Sequence, residues 1–290
     1  MDFIANHKGK RPINRLCEIL RVSESGYYKH LRNLNKPPKH VDLLAQIREI
    51  LLEDEENYNY GVRRIYLALI LKKGYTGSFS TVYRVCKENN LMIKRKHSAK
   101  GITKADAAAQ KAENLIQQDF TADAPNCKWL TDITEVPCSD GKLYLAPVLD
   151  CFDGAIVGFK MDDNMRAELC IEAFLISWRA HRAFGIILHS DRGSQFTSIA
   201  FRQALSEAGA IQSMSGTGRC YDNARMESFF ATLKKEKLYQ MDTTKMPKAM
   251  VKSIIYRYIN YYNRKRIYST NDGLPPFEKR NLFYQGVMAA

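Results

Sequence analysis

The chain has 290 residues, 45% hydrophobic and 11% aromatic, and carries 44 Lys and Arg against 31 Asp and Glu, a net charge of +13. That apolar content excludes a disordered or collagen-like chain, and the length suits two domains or one large domain with an appendage. The charge is segregated: residues 1–115 are net +10, residues 116–230 net −5 and residues 231–290 net +8.

Residues 13–34, INRLCEILRVSESGYYKHLRNL, read as a helix-turn-helix over 1–36. Its second helix is expected to present Tyr27, Lys29, His30 and Arg32. Pro37-Pro38 makes a stiff break. From Val41, VDLLAQIREILLEDEE has helical spacing, and Tyr60-Gly61-Val62-Arg63-Arg64 restarts into a second helix. Gly74 and Gly77 stop it, and Ser78–Ser80 cap a third. Residues 40–96 thus form a helical unit suited to DNA, with a solvated basic bundle as the alternative. Residues 97–118 read as a basic linker, either a helix or a partly ordered strap.

After about Phe120 the texture changes. KWLTDITEV, KLYLAPVLD and AIVGFKM follow closely, as antiparallel strands do, and helices then alternate with GIILHSD and AIQSMS. This order predicts a mixed sheet with helices on its faces. Residues 119–240 form this core, and 241–290 a C-terminal helix and basic tail.

Seven cysteines without a C-x-x-C, and six histidines without an H-x3–5-H pair, exclude a zinc knuckle and a disulfide framework. Reduced thiols of a cytosolic protein are the expectation. There is no signal-peptide run and no apolar stretch of about 18 residues, so no membrane is expected.

Basic arms suit a polyanion, because each phosphate neutralised releases condensed counterions. The acidic middle needs a separate reason. Asp132 lies in a strand-like run, Asp191 ends an apolar strand, and Glu227 opens a helix, with 35 residues between it and Asp191. In a mixed sheet, the carboxyl ends of strands are where sites are built. Phosphodiester chemistry needs an activated oxygen nucleophile and a stabilised leaving oxygen, which two Mg²⁺ ions held by hard oxygen ligands provide. Without metal, such acids repel one another. Asp150, Asp153, Asp162, Asp163 and Asp222 are equally eligible on composition, and the motif makes the choice.

WLTDIT, HSDRGSQFTS and YDNARMESFFATLKKE resemble the DDE integrase core. They are similar, more closely, to the OrfB-type transposases of the IS-three family of bacterial insertion sequences. LCEILRVSESGYYKH, YGVRRIYLAL, STVYRVCKENNL, YINYYNRKR and LPPFE extend the resemblance over nearly the whole chain. It departs at Tyr268, where the family tail has His, and at Glu135, where an aromatic is common.

The resemblance implies a ribonuclease-H-like mixed five-stranded sheet with flanking helices, preceded by small all-α helix-turn-helix modules. Asp132, Asp191 and Glu227 are then the catalytic, metal-binding triad for two Mg²⁺ (or Mn²⁺) ions. The implied reaction is cleavage at element ends followed by 3′-OH strand transfer. The implied partners are double-stranded DNA (terminal inverted repeats and target), further copies of the chain as a dimer or higher assembly, and an OrfA product, in the bacterial cytoplasm at the nucleoid.

Arg63, Arg64, Lys94, Arg95, Lys96, Lys234, Lys235, Arg264 and Arg266 are the expected DNA contacts. Lys234 lies two turns from Glu227 on one helix face. His189 reads as a satisfied core histidine rather than a general base. The run SGTGRCYDN is expected to be a poorly ordered loop. A ribonuclease-H-like nuclease and a DNA-binding regulator without catalysis are the alternatives. A retroviral-type integrase lacks support, since its His-His-Cys-Cys zinc site has no counterpart.

Overall fold

A computed structural model describes residues 12–34, 40–93, 112–216 and 220–286. Lys94, Arg95 and Lys96, most of the expected linker and residues 217–219 of the expected loop lie outside these. The chain divides into two compact units, residues 1–46 and 47–290.

In the first unit, α1 (Ile13–Ile19) and α2 (Glu24–Leu34) pack around Leu16, Cys17 and Tyr27, with Ile13, Val22 and Leu31 beside them. Tyr27 is fully buried, which corrects the expectation that it is presented to solvent. A turn this small has few other apolar groups from which to build a core, so the tyrosine ring closes it. Lys29 and Arg32 are exposed, as expected, and His30 is half-buried.

Helix α3 (Val41–Leu52) is followed by α4 (Val62–Lys73) and α5 (Phe79–Glu88). Gly74 ends α4 in the left-handed conformation, φ 62°, which glycine adopts without steric cost. Ser78 caps α5 by accepting from the Thr81 N–H at 3.3 Å.

The remainder of the second unit is built on one mixed sheet. Strands β1 (Lys128–Thr131) and β2 (Thr134–Cys138) lie end to end along one edge of β3 (Gly141–Asp150). Both pairings are antiparallel, and β4 (Ile156–Asp162) covers the other edge of β3. Beyond β1 come β5 (Ile187–Ser190) and then β6 (Ile211–Met214), both parallel. Six strand segments therefore fill five positions, in agreement with the five-stranded expectation. The interruption between β1 and β2 consists of Asp132 and Ile133.

Helix α6 (Ala167–His181) buries Leu169, Cys170, Ala173 and Phe174. With α7 (Ser194–Thr197) and α8 (Ile199–Glu207) it encloses a core centred on Trp129, Phe174, Phe196 and Phe201. Helix α9 (Ala224–Glu236) buries Met226, Phe229, Phe230 and Leu233, an apolar stripe at helical spacing. Helix α10 (Lys248–Arg264) and α11 (Pro276–Tyr284) complete the chain.

The core reaches upstream of Phe120. The Leu115 N–H donates to the Ser213 hydroxyl at 2.9 Å, and Asn114 donates to Asp222 at 2.9 Å. No disulfide forms among the described cysteines, and no described helix is long and apolar enough to cross a membrane.

Candidate active site

The sheet brings two acids to adjacent positions. Asp132 occupies the break after β1, and Asp191 follows β5, the parallel neighbour of β1. The Asp132 carboxylate accepts the Ile133 N–H at 2.7 Å and Asp191 accepts the Gly193 N–H at 2.9 Å, so neighbouring backbone holds both. A Cβ on Gly193 would stand 3.2 Å from the Asp191 oxygen and 2.8 Å from that of Gln195. Any larger residue there would press on the carboxylate.

Glu227 comes from the first turn of α9. The helix start is tied to the sheet beside Asp132, because Asn223 donates to the Thr131 carbonyl at 3.2 Å. Arg225 adds donors to the carbonyls of Phe120, at 2.7 Å, and Cys151. Glu227 is exposed, lying off the buried stripe of α9.

The electrostatics join these residues. Burial pushes the Asp132 carboxyl up to about 7; the charge of Asp191 adds to the rise and that of Glu227 contributes less. The Ile133 N–H and the Lys234 ammonium oppose it. Burial also raises Asp191. Among the described residues, no three His, Cys, Asp or Glu side chains are grouped closely enough to close on one metal ion. The acids act on one another through charge, at a range longer than shared ligation. Their chemistry suits a divalent cation: hard carboxylate oxygens, no cationic side chain paired to them among the described residues, and a mutual repulsion that a cation relieves.

The other eligible acids have structural work. Asp150 and Asp153 hold the buried Arg280, each at 2.7 Å. Asp222 accepts from Asn114, Gln118 and the Gly216 N–H. Asp163 pairs with Lys248 and Lys252. Asp162 ends the edge strand β4 and accepts the N–H of Asp163. His189 is buried between the hydroxyls of Ser213, at 2.8 Å, and Ser215, at 3.2 Å. Burial lowers its pKa to about 4, so the ring stays neutral and satisfied near pH 7.

The expected DNA contacts separate into two groups. Arg63, Lys235 and Arg264 are exposed, and Lys234 borders a cavity of about 270 Å³ that Glu135 also lines. Arg266 is different, and its assignment as a DNA contact is corrected. It is 5% exposed and grips Glu236 through two bonds of 2.9 Å. Arg64 pairs with the same carboxylate at 2.8 Å, and Tyr258 donates to it at 2.8 Å. Glu236 and Tyr258 escaped sequence reasoning. The one available signal was a lone acid inside the run Lys234-Lys235-Glu236-Lys237.

A helix-turn-helix-like segment leading into a ribonuclease-H-like sheet, with acids at the carboxyl ends of adjacent strands, defines a DDE polynucleotidyl transferase. Residues 122–220 match one family described as integrase core domain, residues 208–276 match a second of that description, and residues 39–98 match the HTH-like domain. The InsK protein of insertion sequence element IS150 from Escherichia coli (strain K12) is 35% identical, covering 94% of this chain and 95% of its own. The transposase InsF of insertion sequence IS3A from the same strain is 32% identical, covering 97% and 98%. A solved HTLV-2 integrase catalytic core domain in complex with magnesium is 19% identical at TM-score 0.42, covering 54% of this chain and 97% of that one. The chain belongs to the IS150/IS3 family of insertion-sequence transposases.

Proposed function

We propose that Asp132, Asp191 and Glu227 are the catalytic carboxylates with which this transposase cuts the ends of its element and joins them to target DNA. The observation that carries this reading is the placement of Asp132 and Asp191 at the ends of adjacent strands, with the start of the Glu227 helix tied to β1 through Asn223 and, among the described residues, no cationic side chain in an ion pair with any of the three. Two Mg²⁺ or Mn²⁺ ions held by these residues would supply Lewis-acid stabilisation of the attacking and leaving oxygens.

The chain's own groups do the rest. In the first step water attacks phosphorus at the element end, the bond between phosphorus and the element's 3′-oxygen breaks, the phosphate stays on the flanking strand, and the element's 3′-hydroxyl is released. In the second step that hydroxyl attacks a target phosphodiester and a target 3′-oxygen leaves. Backbone N–H groups hold Asp132 and Asp191 in place, and Asn223 holds the start of the Glu227 helix against the same strand.

Arg63, Lys235, Arg264 and the Lys94–Lys96 run supply phosphate contacts that position DNA without reading its sequence. Lys234, beside the acids, carries a strand phosphate toward them. The working form is a dimer or larger assembly on the terminal repeats, with an OrfA product as partner, in the bacterial cytoplasm.

A strand-transfer assay on labelled element ends, with Mg²⁺ and with EDTA, tests the reading. Joined product that requires Mg²⁺ is expected. Cleavage without joining would indicate a nuclease, and DNA binding with neither product would indicate a regulator.

A further inference from the structure

Behind Glu227, the same helix borders a second, differently built cavity of about 190 Å³. Ser228 and Thr232 reach it from successive turns of α9, Ser269 and Thr270 from the turn that follows α10, and Arg64 and Arg266 also line it. No Asp or Glu is among its lining residues. The two guanidiniums share one carboxylate, Glu236, so this wall keeps a net positive charge of one.

Arg64 is incompletely satisfied. Its Nη2 holds Glu236 at 2.8 Å, whereas its Nη1 is buried with no hydrogen-bond partner. A buried donor of a charged group left unpaired is costly, so it calls for an acceptor from outside the chain. Four Ser and Thr hydroxyls around a guanidinium match a small anion with several acceptor oxygens. Among anions on DNA, that is a backbone phosphate. Ser228 follows Glu227 directly on α9, so the cavity lies one residue along that helix from an acid.

We propose that this cavity binds one backbone phosphate of the element DNA and sets the position of that strand relative to Asp132, Asp191 and Glu227. This rests on the reading of the chain as a DNA strand transferase. It gives Arg64 two tasks, holding Glu236 with one nitrogen and the phosphate with the other. Arg266, sealed against Glu236, forms the wall.

The test is a binding measurement on the full chain in EDTA, where no chemistry proceeds. The probe is a duplex of the element end carrying a single neutral methylphosphonate at successive backbone positions. Wild-type protein is expected to show several sensitive positions, one for each phosphate contact, and at the position held by the cavity neutralisation weakens binding by about tenfold. Thr232→Glu should bind the unmodified duplex about tenfold more weakly, with a salt slope smaller by about one, and should lose sensitivity at that position. Should Thr232→Glu fail to fold, the Ser269→Ala/Thr270→Ala variant, altered in two exposed side chains, should show a loss of about threefold confined to that position.

A wild-type scan with no sensitive position, or one whose sensitive positions all survive in the variants, overturns the proposal. Failure of the underlying reading would show separately, as wild-type protein that joins no DNA in Mg²⁺.

Discussion

Helix α9 carries two glutamates whose circumstances are opposite. Glu227, in the first turn, is exposed and shares its surroundings with two other carboxylates. Glu236, in the last turn, is half-buried against two arginines and a tyrosine. The same side chain serves charge concentration at one end and charge cancellation at the other. Sequence position on a helix says little about role, and the neighbouring charges decide it. The acidic end is assembled at the expense of local repulsion and is open to a cation. The paired end is closed, and it ties together α4, α9 and the residues just after α10.

The contrast can be broken from either end. The largest effect is expected at the acidic end: Asp191→Asn should lower strand transfer by about 10³-fold or more, because losing the proposed metal ligand would remove several kcal/mol of transition-state charge stabilisation. DNA binding and melting temperature should be retained, and a gel-shift and a thermal melt on the same sample check both.

At the paired end, Glu236→Ala should leave two guanidiniums uncompensated and cost about 3–5 kcal/mol of stability, since breaking a buried pair strands its charge. Denaturant titration measures the loss. Stability unchanged within about 0.5 kcal/mol would remove Glu236 from its structural role.

A smaller effect appears with pH. Burial alone would raise the Glu236 carboxyl, but Arg266, Arg64 and the Tyr258 hydroxyl outweigh it and hold the pKa below its ordinary value. A depressed folded-state pKa contributes stability that is present above the unfolded pKa and is lost as pH falls through the folded one. Wild-type protein should therefore lose more stability than Glu236→Gln as pH falls below the ordinary carboxylate range, as melts at successive pH values would show. The smallest effect belongs to the exposed arginines. Arg63→Gln or Arg264→Gln should each lower the salt slope of DNA binding by about one, with little change in melting temperature.

Much of the acidic end was expected from the sequence, because strand periodicity places Asp132 and Asp191 at or near strand ends and the resemblance to the DDE integrase core singles them out with Glu227. The mixed sheet with helices on its faces followed from three close strands and then alternating helices. The break between β1 and β2 was less visible, since WLTDITEV reads as one continuous strand and only pairing with β3 shows Asp132 at the interruption. The paired end was largely illegible. Glu236 meets Arg266 30 residues away, and it meets Arg64 across a far longer stretch of chain. No local pattern encodes such a contact. Arg266 therefore looked like a member of a basic tail, and Tyr27 like an exposed member of a recognition helix, when each is buried by partners that only the fold supplies.

The most direct test of the central claim compares the two glutamates on one helix in one experiment. Glu227→Gln and Glu236→Gln should be assayed side by side for Mg²⁺-dependent strand transfer and for melting temperature. The expected result is that Glu227→Gln keeps its fold and loses joining, while Glu236→Gln loses stability and retains joining below its melting temperature. Joining retained by Glu227→Gln would contradict the account.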